Sequence, residues 1–369
     1  MIKVFHTADL HIGMRFNSYP DHIKSLLQQA RLDVINNMVQ KANEEGCNIF
    51  VVAGDLFDRI NGIDKNTISK TVSALEEFHG ECVLVLPGNH DYDNGMVELW
   101  TRFNKDVRDK ILYINEKKPY SLEDYGLDIT VYPAPCHAKH SAVNSIGWIK
   151  DEDVNKENIN IGVGHGAIVG LSPDMDSNYY NMTIDELIGT PLDLWLLGHT
   201  HIPYPLKDNI INEKVYNPGT PEPDGLDCKH GGNAWIINID KDKNISANRT
   251  TTGLYKFIDK EYEVKDRDDL DKIGEDFYKY NSKNIIARIK LNGRLEEDDF
   301  NYRQEVYKRI EESVAYLIIE DNNLGIKITK DKIYKEFSDG SFPQQLLLAL
   351  SDDEDTLQLA YELIMEVKE

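Results

Sequence analysis

Val83-Leu84-Val85-Leu86-Pro87-Gly88-Asn89-His90-Asp91 joins four branched apolar residues to a Pro-Gly break and a polar tip. The apolar run reads as a short buried strand, and Pro87-Gly88 turns the chain out of it. Asn89, His90 and Asp91 are thereby placed on a loop at the carboxyl end of a strand, where open α/β sheets hold their ligands. An amide oxygen can ligate a hard metal ion, an imidazole moves protons near neutral pH, and a carboxylate can orient either. Alone, the tip also reads as a solvated turn. What decides between the two readings is how often the same device recurs.

Residues 2–5 form a strand that runs into His6-Thr7-Ala8-Asp9-Leu10-His11-Ile12-Gly13, with Asp9 and His11 spaced i, i+2 and so able to face one side. The strand at 48–53 ends in Gly54-Asp55-Leu56-Phe57-Asp58-Arg59, the one at 159–164 in His165-Gly166, and Leu194-Trp195-Leu196-Leu197-Gly198 in His199-Thr200-His201. Apolar residues at helical spacing predict covering helices at 25–42, 67–78 and 96–103, with further strands at 111–114, 128–132 and 215–216 and a last one at 233–239 that closes the sheet. Strands alternating with helices give an α/β layered fold. His137 and His140, between prolines and the next loop, are expected on the rim of a cleft and not as a metal pair.

From Tyr255 the character changes. Strand, helix, strand, helix and strand follow at 256–264, 268–280, 285–291, 298–313 and 315–319 without polar tips, which predicts a small α+β domain. Two amphipathic helices joined by Asp352-Asp353-Glu354-Asp355 end the chain. The expected division is 1–252, 253–330 and 331–369.

A chain of 369 residues is long enough for two domains. Hydrophobic content of 41% with 28% charged residues describes a globular protein, and no apolar run approaches the roughly 20 residues that span a bilayer. The first residues are too short an apolar segment for a signal peptide, so a cytoplasmic location is expected. Cys47, Cys82, Cys136 and Cys228 are dispersed and are expected to stay reduced. The net charge of -23 argues against general affinity for polyanions, unless a local basic strip or bound cations reverse the sign.

Five strand ends thus present Asp9 with His11, Asp55, Asn89 with His90, His165, and His199 with His201, and the expectation is that they share one edge of one sheet. Mixed carboxylate, imidazole and amide donors suit Mn, Fe or Zn better than an all-oxygen cage. The ligand count fits two divalent ions: Asp9, His11 and His201 on the first, Asn89, His165 and His199 on the second, and Asp55 bridging. Such a pair activates a bridging water against phosphorus, which predicts phosphoester hydrolysis. His90, left over beside Asn89, is placed to protonate the leaving oxygen, with Asp58 fixing its tautomer.

Asp9-x-His11, Gly54-Asp55-x-x-Asp58, Gly88-Asn89-His90-Asp91, Gly164-His165 and Gly198-His199-x-His201 resemble the calcineurin-like metallophosphoesterases over about residues 1–250. That resemblance implies a four-layer α/β/β/α sandwich with a dinuclear centre. More narrowly, the segments at 6–13 and 54–58 and Asn217-Pro218-Gly219-Thr220-Pro221-Glu222-Pro223 look like the SbcD-type DNA repair exonucleases. This implies a manganese-dependent nuclease acting on DNA ends in double-strand-break repair and recombination, with endonuclease action beside it, a capping domain after Tyr255, a homodimer, and an SbcC-type coiled-coil ABC ATPase partner docking on the C-terminal helices. Asp58 stands where some members have a second His, which implies a carboxylate–imidazole relay. The charge departs from that picture, and Arg15, Lys139 and Lys207 are the candidates for a DNA-holding strip. Two other readings stay open: a phosphodiesterase or phosphatase for small nucleotides or phosphoproteins with the same metals, and a non-catalytic scaffold, which would be expected to have lost ligands that are all present here.

Overall fold

Side chains that are apolar at every position of a strand need cover on both faces, and parallel strands between two layers provide it. β2 (Ile49–Ala53) and β3 (Cys82–Leu86) are buried throughout, and they lie parallel between β1 (Ile2–Thr7) and β4 (Ile111–Tyr113). The computed structural model describes residues 1–172, 178–280 and 282–368. Glu369 and the side chains of Glu354 and Asp355, half of the expected acidic run, lie outside the described residues. The chain divides into two units, Met1–Phe257 and Ile258–Glu369.

In the first unit a second sheet takes β5 (Tyr120–Ser121), β6 (Ile129–Ala134), β7 (Ile159–His165), β8 (Leu194–Gly198) and, after the short β9 (Ile210–Ile211), β10 (Val215–Tyr216), in the order β10-β8-β7-β6-β5. The first sheet does not close at β11 (Asn233–Ile239), as expected from sequence, but continues through β12 (Ile245–Thr251) to β9, giving the order β4-β3-β2-β1-β11-β12-β9. Only Ile245 and Ala247 are buried along β12, so its sequence carries too little apolar signal to read as a strand.

Three apolar layers hold these sheets. α1 (Asp21–Glu44), α2 (Lys65–Glu76) and α3 (Glu98–Asp106) cover the outer face of the first sheet through Val34, Met38, Val72, Trp100 and Phe103 against Phe5, Phe50, Val52 and Val85. Val4, Val51, Leu84 and Ile237 meet Val131, Ile161, Val163 and Leu196 between the sheets. α4 (Ile184–Ile188), opened by a capping box between Thr183 and Glu186, and the single turn at Gly147–Asp151 close the outer face of the second sheet. The result is the expected four-layer α/β/β/α sandwich.

His6 ties the sheets together. Fully buried on β1, it donates from Nε2 to the carbonyl of Leu197 on β8 at 3.0 Å, and burial pushes its pKa down to about 3. The folded protein therefore keeps His6 neutral where the unfolded chain takes up a proton near pH 6.5. The sign follows: this contribution to stability is whole above pH 6.5 and is lost as pH falls toward 3, reaching about 3 kcal/mol by pH 4. His6→Gln, which keeps a donor, is expected to unfold with a shallower pH dependence between 7 and 4, measured by thermal unfolding of metal-free protein. A slope equal to that of the parent would contradict this.

The second unit has the predicted order. β13 (Lys256–Val264), α5 (Arg267–Tyr278), β14 (Ile285–Leu295), α6 (Glu297–Ser313) and β15 (Tyr316–Ile326) build a sheet in the order β13-β14-β15, whose one face packs on α5 and α6 through Leu270, Phe277, Val306 and Ile310. α7 (Lys330–Glu336), α8 (Phe342–Ala349) and α9 (Glu354–Lys368) belong to this unit but keep a cluster of their own around Ile333, Phe337, Leu347 and Leu357. Among the described residues no helix is long and apolar enough to cross a membrane, and all four cysteines are free thiols.

Candidate metal centre

Every residue expected to hold metal comes to one place, but from two sheets and not one. Asp9, Asp55 and Asn89 follow β1, β2 and β3 of the first sheet; His165 ends β7, and His199 and His201 follow β8, in the second. Because the facing sheets run their parallel strands to the same end, the tips meet across the seam between them. The first two loops are zipped together beyond their strands, with Asp9 N–H on the Gly54 carbonyl at 3.1 Å and His11 N–H on the Asp55 carbonyl at 3.0 Å.

Asp55 is central. Its Oδ2 lies 3.3 Å from His165 Nε2 and 3.7 Å from His11 Nε2, while Oδ1 accepts the His90 main-chain N–H at 2.8 Å. On one side Asn89 Oδ1 is 3.0 Å from both His165 Nε2 and His199 Nδ1. On the other, His11 Nε2 and His201 Nε2 face each other at 3.2 Å, and ligand atoms of Asp9, His11 and His201 all lie within 4.8 Å of one another. Asp55, His165 and His199 form a second group within the same limit. Two atoms that ligate one ion at about 2.1 Å sit about 3 to 3.5 Å apart, so these spacings match both halves of the expected ligand set.

The donor chemistry fits as well. His165 Nδ1 donates to the Ala53 carbonyl at 2.9 Å, which leaves Nε2 to point at two oxygens. Burial disfavours a charge on His165, yet Asp55 beside it raises the pKa to about 9, so positive charge is stabilised at this point. Burial alone would likewise raise Asp55, but the imidazoles of His165 and His11 hold it well below the usual carboxylate range. Burial lifts Asp9 to about 6, and both of its oxygens take the His199 main-chain N–H at 3.0 Å. His11 Nδ1 is buried with no hydrogen-bond partner among the described residues. Convergent lone pairs and two buried carboxylates make a pocket for cations.

The backbone is bent to make it. Asp9, His11, Asp55 and His199 all have positive φ, at 57°, 47°, 50° and 94°. Each such residue costs on the order of 1–3 kcal/mol and persists where the surroundings force it, typically at a working site. Two glycines leave necessary room: a Cβ on Gly88 would come within 2.2 Å of Asp55 Oδ1, and one on Gly54 within 2.2 Å of His165 Nδ1.

His90 lines the cleft and meets the His11 ring edge-on at 4.8 Å. The expected hydrogen bond to the Asp58 carboxylate is not made. His90 Nδ1 is held at 3.0 Å by the main-chain carbonyl of Asp58, while the carboxylate turns to Arg59 at 2.9 Å and stays 3.7 Å from His11 Nδ1, beyond hydrogen-bond length. The tautomer is fixed by the backbone, for which no side-chain pattern gives a signal. His137 and His140 stay outside the centre as expected, His137 Nδ1 on the Asp93 carbonyl and His140 against the Tyr179 ring.

The centre opens into a cleft of about 790 Å3, walled on one side by Tyr179, Ile202, Pro203 and Leu206 and on the other by Asp224, Asp227, Lys229, His230 and Arg249. Arg15, Lys139 and Lys207, expected as a basic strip, are exposed and do not line it. Sequence reasoning missed Asp224, whose Oδ2 accepts from His201 Nδ1 at 2.7 Å, and the backing given by Asn217, Thr220 and Arg31. Asp91, fully buried, accepts the N–H groups of Phe57 and Gly88 and so shapes the loop that carries Asn89.

The profile of the calcineurin-like phosphoesterases matches residues 2–203, more than half of the chain and all seven expected ligands, and the protein belongs to that family of metal-dependent phosphoester hydrolases. Among curated proteins it is 23% identical over 229 residues to the SbcD component of the nuclease SbcCD from Staphylococcus saprophyticus subsp. saprophyticus, covering 57% of this chain and 59% of that one. It is 27% identical over 208 residues to the uncharacterized metallophosphoesterase YhaO of Bacillus subtilis (strain 168), covering 54% and 48%. The chain spans about half the length of these relatives.

Proposed function

We propose that the protein is a two-metal phosphodiesterase that acts on DNA ends, an exonuclease with endonuclease action on closed ends, in the repair of double-strand breaks. The observation that carries the reading is the placement of Asp55 Oδ2 between His11 and His165, with a ligand group on either side. Asp9, His11, His201 and Asp55 would hold one ion and Asn89, His165, His199 and Asp55 the other, manganese first, with iron or zinc as alternatives. Bound there, the pair supplies a hydroxide-like water and draws charge from the phosphoryl oxygens. His90, anchored through Nδ1, is placed to hand a proton from Nε2 to the leaving oxygen. Lys229 and Arg249 are the cations nearest to where a phosphodiester strand would run, although Arg249 is paired with Asp208 at 2.7 Å.

The similarity to the SbcD component of a nuclease supports a coiled-coil ABC ATPase of the SbcC type as partner, and a homodimer in the cytoplasm. The ATPase would dock on the C-terminal helices, where a groove of about 640 Å3 runs between Phe337, Phe342, Pro343, Leu363, Ile364 and Val367. Phe342 and Val367 are 76% and 88% exposed there. With a net charge of -23, the chain relies on such a partner to hold DNA.

The test is a manganese-supplemented assay on blunt and hairpin DNA beside bis-p-nitrophenyl phosphate, with and without the ATPase. DNA shortened from its ends is the expected result. Turnover of the small ester with no DNA cleavage under either condition would replace this reading with a small-substrate phosphodiesterase. Inactivity on every ester with ions bound would point to a scaffold.

A further inference from the structure

We infer that Asp224 is a positioning residue of the metal centre: its carboxylate holds His201 in the tautomer and orientation that present Nε2 to an ion. The loop that carries it, 217–230, is then part of the centre although it lies beyond the segment that matches the family. The inference rests on the ligand set proposed above.

An imidazole that ligates through Nε2 must keep its proton on Nδ1, and a partner for that proton fixes both tautomer and ring plane. His165 finds its partner in the Ala53 carbonyl, part of a rigid strand. His201 stands on a loop past β8 and has no strand carbonyl to use. Its Nδ1 instead meets Asp224 Oδ2 at 2.7 Å, the short length of a charge-assisted bond. His201 Nε2 then faces His11 Nε2 at 3.2 Å, on the side where Asp9 also lies.

The rest of the loop fits this task. Asn217 Nδ2 donates to the carbonyls of Thr200 and Ile202, at 2.5 and 2.8 Å, and so grips the main chain on both sides of His201. His230 Nε2 donates to the His201 carbonyl at 2.7 Å, while its Nδ1 accepts the Gly232 N–H at 3.1 Å. Thr220 Oγ1 lies 3.0 Å from the Asp9 carbonyl, so the same loop also touches the other ligand of that ion. Gly219, at φ +70°, passes so near that a Cβ would come within 2.9 Å of the His201 carbonyl oxygen. From below, the buried Arg31 guanidinium binds the Glu222 carbonyl at 3.2 Å and the Leu10 carbonyl at 2.6 Å, which pins the loop to the strand tip that carries Asp9 and His11. A loop tied so closely to both ligand segments positions its one carboxylate with little freedom.

The test is titration of the full, metal-free chain with Mn2+ by calorimetry, a readout independent of turnover. Asp224→Leu removes the acceptor and is expected to weaken one of the two ions about 10- to 100-fold and leave the other at parent affinity. Asp224→Asn keeps an amide oxygen but loses the charge, and is expected to fall between parent and Asp224→Leu. The 15N shifts of His201 should report Nδ1–H in the metal-free parent and a mixture of tautomers in Asp224→Leu. The control is His201→Ala, which should lose the same ion. If His201→Ala keeps both ions at parent affinity, the ligand set itself is wrong. If His201→Ala loses an ion while both Asp224 variants bind two as tightly as the parent, the Asp224 assignment is overturned. Should Asp224→Leu not fold, the same-shaped Asp224→Asn decides alone: weaker binding of one ion supports the assignment, and parent affinity for both overturns it.

Discussion

Asp55→Asn is expected to cost the protein both ions and to reduce phosphodiester hydrolysis to background. Both oxygens of Asp55 are committed. Oδ2 sits between His11 Nε2 and His165 Nε2, and Oδ1 takes the His90 main-chain N–H. An amide in this place offers one acceptor and one donor. If its NH2 faces the imidazoles, it puts protons where an ion must sit; if it faces His90, two N–H donors confront each other in a buried site. Either way the charge that holds positive partners is gone. Loss of an outer partner of a metal ligand typically costs 10- to 100-fold in affinity, so losing the shared inner ligand should exceed that for each ion. Elemental analysis after dialysis, followed by Mn2+ titration, measures the effect. Retention of two ions at parent affinity would show that Asp55 does not bridge them.

His90→Asn should do the opposite: keep both ions and slow the reaction by about 10²- to 10⁴-fold, the range for a positioned general acid. The substitution leaves the main-chain N–H of residue 90, so the anchor on Asp55 Oδ1 survives and metal content has no reason to fall. What is lost is the ring that stands in the cleft with its Nδ1 on the Asp58 carbonyl. The fall should lie in kcat, and the alkaline limb of the pH–rate profile, which a general acid imposes, should disappear with it. A variant that loses ions and activity together would place His90 in the metal shell, where its proximity to His11 and Asp58 would allow it.

The parts of this site that could be read from sequence are those that sit where a buried strand gives way to a polar tip. Val83-Leu84-Val85-Leu86 followed by Gly88-Asn89-His90-Asp91 announces both the strand and its cargo, and the same contrast marks Asp9, Asp55, His165 and His199. Topology did not follow from that contrast. A strand tip does not say which sheet its strand joins, so ligands from two sheets were expected on one edge. Contacts that use the main chain also leave no trace in residue types: the Asp58 carbonyl holds His90, and the Ala53 carbonyl holds His165. Asp224 was hidden for a different reason. It lies in an irregular loop 23 residues beyond His201 with no strand before it, and one acidic residue in a chain so rich in them carries no signal until the loop is folded back onto His201. The positive φ angles of Asp9, His11, Asp55 and His199 likewise follow from the packing of four loops together.

The most direct measurement is anomalous diffraction at the manganese edge from crystals of the protein soaked in Mn2+. Two peaks about 3.5–4 Å apart, one beside Asp9, His11 and His201, the other beside Asn89, His165 and His199, with Asp55 between them, are expected. A single peak, or two peaks that do not share Asp55, would contradict a dinuclear centre at these strand tips.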